Sequence, residues 1–274
     1  NAAEAVCDIC LASVIDLEPI VADLARTVRD GATDTARYGS AQALELLAVG
    51  EPSFRERVVE LLIETTSTDD SLLQQRCLEA LESIAEADPM VLTPHLDTID
   101  ECMSDTTVEC QVTVVACLAT TATVPALRAQ SVRSLSEALA ADNSRVQQRA
   151  AEALTDLATT NSDFSSQCLE RIRTAATAAD PTVRALIATC LSYVGTESDI
   201  SILQELAADH DEAVRTAATD GFDRLKYSHA ESTTWDDAPM HRYTPANRGT
   251  RSLNGRRLHD PSIAWEVEID DQIK

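Results

Sequence analysis

Cysteine and histidine would make a catalytic or metal site easiest to recognise, but their spacing in this chain gives such a site little support. Of the eight cysteines, Cys7 and Cys10 form a CxxC pair. A zinc site would require a second CxxC or a pair of histidines, and neither accompanies it. The five histidines are scattered, and the chain contains no GxSxG or P-loop motif. We therefore predict no catalytic residue, no metal and no cofactor, with the cysteines as reduced structural thiols.

A group of arginines near the C-terminus is the second feature with recognisable chemistry. Residues 241–259 contain five arginines and no aspartate or glutamate. Guanidinium groups pair with phosphates or carboxylates. This leaves three interpretations open: an arm that binds RNA such as ribosomal RNA, an arm that lies on an acidic surface of this chain or of a partner protein, and a solvated tail. The predicted contact residues of this tail, residues 227–274, are Trp235, Arg242, Tyr243, Arg248, Arg251, Arg256, Arg257 and Trp265.

The charge of the whole chain is strongly negative. The formal net charge is −24, and the 22 basic residues include only two lysines. Such an excess of one sign destabilises a compact state through self-repulsion, unless salt shortens the Debye length to roughly 3 Å, as it does near 1 M. The composition predicts a cytoplasmic protein from a salt-loving archaeon. No apolar run is long enough to span a membrane, and the first residues lack the features of a signal peptide, so no membrane partner is expected.

Apolar residues recur with the period of a helix and, at longer range, with a repeat of 30–38 residues. From Val183 the chain places Ile187, Leu191 and Val194 on one helical face. The same spacing starts at seven anchors, which are residues 6, 36, 73, 108, 146, 183 and 214. One helix pair cannot bury its own apolar face, so the repeat predicts an all-α solenoid of stacked helix pairs.

A second helix fits between each two successive anchors, which gives about thirteen helices over residues 1–226. The candidate ranges are 19–29, 52–66, 89–103, 124–140, 162–178 and 198–208. Proline lies at or near several of their starts, where its missing N–H costs little. Several anchors also follow an aspartate by three residues, a position from which its carboxylate can cap the helix. These aspartates are Asp70, Asp105, Asp180 and Asp211.

The segments "DPTVRALIATCLSYVG", from residue 180, and "DEAVRTAATDGFDRL", from residue 211, resemble HEAT repeats. They are most similar to the short HEAT-like repeats of phycobilin lyases. The resemblance implies a ladder along the stack in which Asp180 joins Arg184 and Asp211 joins Arg215. The other repeats depart from this pattern, so no continuous ladder is expected. One has Arg37 with its aspartate displaced to position 34, and the arginine position of the others is occupied by Gln74, Glu109 and Gln147.

The resemblance also implies that one face of the second helix of each pair lines a concave groove. Residues at +2, +6 and +9 from each anchor point away from the predicted core. In the helix that starts at Val108 these positions are uncharged, whereas its neighbours carry glutamine and glutamate. Two interpretations follow: an internal helix that the chain itself covers, or a groove for a partner protein. The predicted groove residues are Cys110, Val114, Cys117, Gln148, Thr155, Ala185, Thr189 and Ser192.

A non-enzymatic scaffold or adaptor is the function that these patterns favour, with a partner protein bound by the concave face and the C-terminal arm. The alternative is a nucleic-acid- or ribosome-associated factor that uses the arginine-rich tail. A HEAT-like enzyme, such as a lyase or a DNA glycosylase, is the least favoured, because a glycosylase needs a basic face for phosphates. The predicted array of residues 1–226 is instead strongly acidic.

Overall fold

The computed structural model describes residues 17–104, 107–160 and 164–233. These ranges form twelve α-helices and contain no strand, in agreement with the predicted all-α class. The predicted helix around Val6 lies outside them. The helices are α1 (Glu18–Asp30), α2 (Asp34–Gly50), α3 (Arg55–Thr66), α4 (Ser71–Ala87), α5 (Leu96–Glu101), α6 (Val108–Ala122), α7 (Pro125–Ala138), α8 (Ser144–Thr160), α9 (Ser166–Ala175), α10 (Pro181–Val194), α11 (Ile200–Leu206) and α12 (Glu212–Thr233).

The helices alternate between two layers. We call the odd-numbered helices A helices and the even-numbered helices B helices. Along the stack, α2, α4, α6 and α8 each pack against the next B helix, and α1, α3, α5, α7 and α9 each pack against the B helix that follows them. At the end of the stack, Gly221 of α12 approaches Ser192 and the Ala188 carbonyl oxygen of α10 so closely that a Cβ there would meet them at 3.1 and 3.2 Å. The chain is thus an α-solenoid.

Capping residues set the register of the B helices. The side chain of Asp70 accepts a hydrogen bond from the Leu73 N–H, and that of Asp180 accepts one from the Thr182 N–H. Asp211 caps α12 in the same way. These three predicted caps are confirmed. Asp105 lies outside the described residues, and the cap of α6 is Thr107, which accepts from the Cys110 N–H.

A ladder of leucines fills the core between the layers. Each ladder residue lies eleven positions after the N-cap residue of its B helix and is at most 1% exposed. Complete burial of a leucine is worth about 1.5–3 kcal/mol, so the ladder joins the repeats through apolar contact. Its members are Leu44, Leu81, Leu118, Leu154 and Leu191.

One predicted A helix is broken. The range 89–103 was expected to form a single helix, but Pro89–His95 is a 3₁₀ helix and only Leu96–Glu101 is α-helical. Pro94 lies inside this range; it lacks an N–H and its ring clashes with the preceding turn, so a continuous α-helix cannot form there. Two other A helices, α3 and α11, also begin with a short 3₁₀ turn, at Pro52–Phe54 and Glu197–Asp199.

A polar joint connects each B helix to the end of the preceding A helix. In three repeats the residue that follows the anchor donates a side-chain hydrogen bond to a backbone carbonyl there: Gln74 to Thr66, Gln147 to Ala141 and Arg184 to Ala178, at 2.7–2.8 Å. The implied Asp180–Arg184 and Asp211–Arg215 partnerships are not formed. Arg184 instead pairs with Asp209, and Arg215 donates to the carbonyls of Asp209 and His210. Glutamine can replace arginine because the shared acceptor is a carbonyl.

None of the helices in the described ranges has the length and apolar character needed to cross a membrane.

Candidate partner-binding surface

Three of the predicted groove residues lie in the core. Cys110 and Val114 are fully buried, and Cys117 is 1% exposed. The Cys110 thiol lies 3.8 Å from the Ser71 carbonyl oxygen, and the Cys117 thiol lies 3.8 Å from the Leu78 carbonyl oxygen, so both face α4. The prediction that these side chains line an open groove is therefore wrong.

The error is a shift of two residues in the register of α6. In the other B helices the anchor follows the cap by three positions, and the cap of α6 is Thr107, so its anchor is Cys110 rather than Val108. The anchors of α2 to α10 then lie 36 or 37 residues apart. Both faces of α6 are apolar, and periodicity cannot decide which of two apolar faces is buried.

The other predicted groove residues divide between the solvent side and the contact between α8 and α10. Gln148 is half-buried and donates to Glu152 at 2.9 Å. Thr155 is buried and donates to the Leu186 carbonyl oxygen of α10 at 3.1 Å, so it joins two B helices. Ala185 and Thr189 are half-buried. Ser192 is buried and donates to the Thr189 carbonyl oxygen within α10.

The predicted tail contacts cannot be placed on this structure, because all eight residues from Trp235 to Trp265 lie outside the described residues.

The corrected register leaves α6 with an uncharged solvent side. Val112 and Ala119 are half-buried there, and Ala116, between them, is 6% exposed. Thr113 and Thr120 lie beside this row. The charged residue of α6 is Glu109 in its first turn, where it forms an ion pair with Arg145 at 3.1 Å. We call Val112, Ala116 and Ala119 the α6 floor.

The helices on either side of the floor carry the same motif. Residues 74–81 read QQRCLEAL in α4, and residues 147–154 read QQRAAEAL in α8. In α4, Glu79 accepts hydrogen bonds from Gln75 and Arg76, both at 2.9 Å. In α8, Glu152 accepts from Gln148 at 2.9 Å and from Arg149 at 3.5 Å. Position by position, long polar side chains of both neighbours flank the short side chains of α6.

The hydrogen bonds within the two motifs direct these side chains along their own helices. A glutamine and a glutamate four residues apart lie on one helical face, so their bond runs parallel to the helix axis. The flanking side chains therefore form two polar walls, and α6 lies between them as a floor of shorter side chains.

Glu82, one turn further along α4, is a half-buried carboxylate. No hydrogen bond or ion pair of Glu82 is present among the residues that the structure describes. Burial raises the pKa of Glu82, and the charges of Glu86 and Glu79 raise it further, while Arg149 of α8 lowers it.

Burial holds four of the cysteine thiols in the described residues in their neutral form. Burial raises the pKa of Cys77 to about 12 and that of Cys190 to about 12, and it also raises the pKa values of Cys102 and Cys117. A thiol reacts or binds metal as the thiolate, which burial disfavours. Within the described ranges, His, Cys, Asp and Glu side chains form no group of three or more that could hold a metal ion.

Residues 132–222 match the family model described as HEAT repeats. No curated protein shows a match to the chain. Two engineered proteins with crystal structures from the Northeast Structural Genomics Consortium are similar to it. The first has a TM-score of 0.52 at 20% identity, and its alignment covers 75% of this chain and 97% of the engineered protein. The second has a TM-score of 0.51 at 25% identity, and its alignment covers 75% of this chain and 99% of the engineered protein.

A designed armadillo repeat protein is also similar, with a TM-score of 0.52 at 14% identity. The alignment covers 74% of this chain and 98% of the designed protein. At these identities the likeness concerns the fold. Neither the family match nor the solved structures bear on the closer resemblance to phycobilin lyases or on a halophilic origin, which stay predictions. Together with the repeat geometry, they support a helical-repeat protein of the HEAT and armadillo type.

Proposed function

We propose that this protein is a non-enzymatic scaffold or adaptor and that it binds a partner protein on the solvent side of its B helices. The observation that carries the proposal is the α6 floor. In a chain with a net charge of −24, the central B helix presents Val112, Ala116 and Ala119 between two walls of charged and amide side chains.

The floor is suited to burial by another molecule. Apolar surface is worth about 25 cal/mol for each Å² removed from water, so covering the exposed parts of Val112 and Ala119 contributes on the order of 1 kcal/mol. Short side chains also allow the backbone of a partner to approach closely. The acidic excess of α4 disfavours nucleic acid on this face, because carboxylates repel phosphates.

Site-specific photo-crosslinking tests the proposal. Ala119→p-benzoylphenylalanine places a crosslinker on the floor, and Ala129→p-benzoylphenylalanine places it on the exposed side of α7, an A helix. Irradiation in a lysate of the source cells, followed by mass spectrometry, should give a protein adduct at position 119 that is absent at position 129. Equal adducts at both positions, or none at 119, would contradict the proposal.

A second candidate function rests on the arginine-rich segment. Five arginines without a single acidic residue in 241–259 favour phosphate or carboxylate contacts. If the protein is a ribosome- or RNA-associated factor, RNA should co-purify with it, and a change of Arg248, Arg251, Arg256 and Arg257 to glutamine should release that RNA. Co-purification that survives this change would argue against the tail as the binding element.

A further inference from the structure

The shape and charge of the surface around α6 define what kind of partner segment fits there, if the proposed function holds. The axes of packed helices lie about 8–10 Å apart, so α4 and α8 are separated by roughly 16–20 Å across α6. A helix with its side chains is about 10–12 Å wide. One helix can therefore lie over α6 and between the two walls, where the side chains that it meets are short.

The floor gives the pattern of the contact. From Val112 to Ala119 the floor is roughly 10 Å long, about two turns of a helix. A helix that lies along it contacts the floor with residues spaced i, i+3 or i+4, and i+7, which is the pattern of helices bound in grooves. These residues must be apolar, because the floor between Glu109 and the end of α6 carries no charge.

The walls give the sign of the flanking charges. On α4, Glu79, Glu82 and Glu86 outnumber Arg76, whereas on α8 the two basic residues balance the two acidic ones. Glu79 and Glu152 already accept hydrogen bonds from their own helices. Glu82 accepts none among the described residues and is half-buried. A further cation here, in addition to Arg149, would oppose the repulsion from Glu79 and Glu86.

We propose that the surface formed by α4, α6 and α8 binds an amphipathic helix of a partner protein, with an apolar stripe on Val112, Ala116 and Ala119 and with lysine or arginine beside Glu82 and Glu86. The hydrogen bonds within the QQR…E motif of each wall keep the glutamine and glutamate side chains along their own helices, so the space above α6 stays open. The cation beside Glu82 fixes the orientation of the bound helix, because the α8 wall has no unpaired half-buried carboxylate at the equivalent position, where Thr155 stands.

Fluorescently labelled synthetic helices and the full chain provide the test. One 18-residue peptide carries leucine at i, i+3, i+4 and i+7 with lysine on both flanks. A second has the same leucines with glutamate flanks, and a third is a scrambled version of the lysine peptide with the same net charge. Fluorescence anisotropy, at the lowest KCl concentration at which circular dichroism shows full helix content, should show binding of the lysine peptide alone. Equal binding of the scrambled peptide would mean that general attraction to an acidic protein is sufficient, and it would overturn the proposal.

Two double variants with the same charge change locate the binding site. Glu82→Gln with Glu86→Gln removes the proposed cation site, and Glu56→Gln with Glu60→Gln removes two exposed carboxylates with the same spacing on α3. The first should weaken binding of the lysine peptide about fivefold to tenfold, the effect of two partly exposed ion pairs, and the second should leave it nearly unchanged. Equal weakening by both would overturn the proposed site.

The failure of this proposal can be told apart from the failure of the proposed function. If the crosslinker at position 119 captures a partner but the lysine and glutamate peptides bind equally, the face binds a protein and the basic helix is the wrong occupant. If position 119 captures nothing more than position 129 and no peptide binds, both proposals are overturned.

Discussion

The carboxylate of Asp199 shows how single residues hold neighbouring repeats together. It is fully buried and accepts hydrogen bonds from the Arg173 Nε and Nη2 atoms at 2.5 and 3.0 Å and from the Thr196 N–H at 2.7 Å. Arg173 lies in α9 and Asp199 in the turn before α11, so the pair joins two consecutive A helices. Removal of one partner from a buried pair leaves the other without compensation.

Asp199→Asn should therefore lower the free energy of unfolding at pH 7 by about 2–4 kcal/mol, less than for a fully buried pair because Arg173 is 25% exposed. Urea unfolding followed by circular dichroism measures this difference. Asp220→Asn, at an exposed position of α12, serves as the control and should change stability by less than about 0.5 kcal/mol. If both variants unfold at the same urea concentration, the pair contributes nothing to stability.

The pH dependence of the stability difference between wild type and Asp199→Asn tests the direction of the pKa shift of Asp199. The contacts with Arg173 and Thr196 outweigh burial and hold the pKa of Asp199 below its ordinary value of 3.8. The folded state then binds fewer protons than the unfolded state, so the pair stabilises the protein above about pH 4 and loses this effect as the pH falls through the lowered pKa. The difference between wild type and Asp199→Asn should shrink from pH 5 to pH 3; a difference that grows in acid would contradict this assignment.

At the scale of one element, α6 carries the main correction to the sequence-based interpretation. Its two apolar faces differ only in which one the neighbouring helices cover. Val114 is fully buried, whereas Val112, two residues earlier, is half-buried on the solvent side, at the position that Gln75 and Gln148 occupy in the flanking helices. The two valines provide a matched pair of sites on a single helix.

Val114→Glu should unfold the central repeats, because an unpaired carboxylate in an apolar core costs several kcal/mol. Val112→Gln should keep the helix content of wild type, since it introduces the side chain that α4 and α8 already carry there. Circular dichroism at 222 nm and thermal unfolding of both variants measure the contrast. A folded Val114→Glu together with an unfolded Val112→Gln would restore the register predicted from periodicity alone.

Helix starts and spacing made most of the fold predictable. Asp70, Asp180 and Asp211 marked their helix starts correctly, because a carboxylate at the N-cap accepts hydrogen bonds from the unpaired N–H groups of the first turn. The register of α6 was missed because its cap is a threonine in a threonine-containing stretch, Thr106–Thr107, and because Val108 looked like an anchor. An equal spacing of 36–37 residues was the signal that could have selected Cys110.

The candidate site was harder to predict than the fold, for a physical reason. Local periodicity is enough to predict which residues are helical. The α6 floor, in contrast, is defined by the long polar side chains that α4 and α8 place on either side of it. The QQR…E motif occurs twice with an interval of 73 residues, and only the stack makes its two copies neighbours of the same helix. The half-buried state of Glu82 is likewise a property of the packed repeats.

For the molecule as a whole, repulsion among acidic side chains opposes the apolar core. The described ranges contain ion pairs between successive B helices, such as Arg76 with Glu45 at 2.9 Å and Arg145 with Glu109 at 3.1 Å. These pairs are partly exposed, so each is worth about 0–1 kcal/mol and does not offset a net charge of −24. The leucine ladder supplies the stabilisation that holds the repeats together.

This balance predicts how stability depends on salt. Near 1 M KCl the Debye length falls to roughly 3 Å, so repulsion between separated carboxylates is screened, whereas the burial of the leucine ladder persists. The helix content and the melting temperature should therefore rise as KCl increases from 0.05 M to 2 M, as circular dichroism can measure. Sucrose at matched osmolality is the control, because it stabilises compact states without screening charge. A melting temperature that is independent of KCl, or that rises equally in sucrose, would show that self-repulsion does not limit this fold and would remove the physical basis for a halophilic origin.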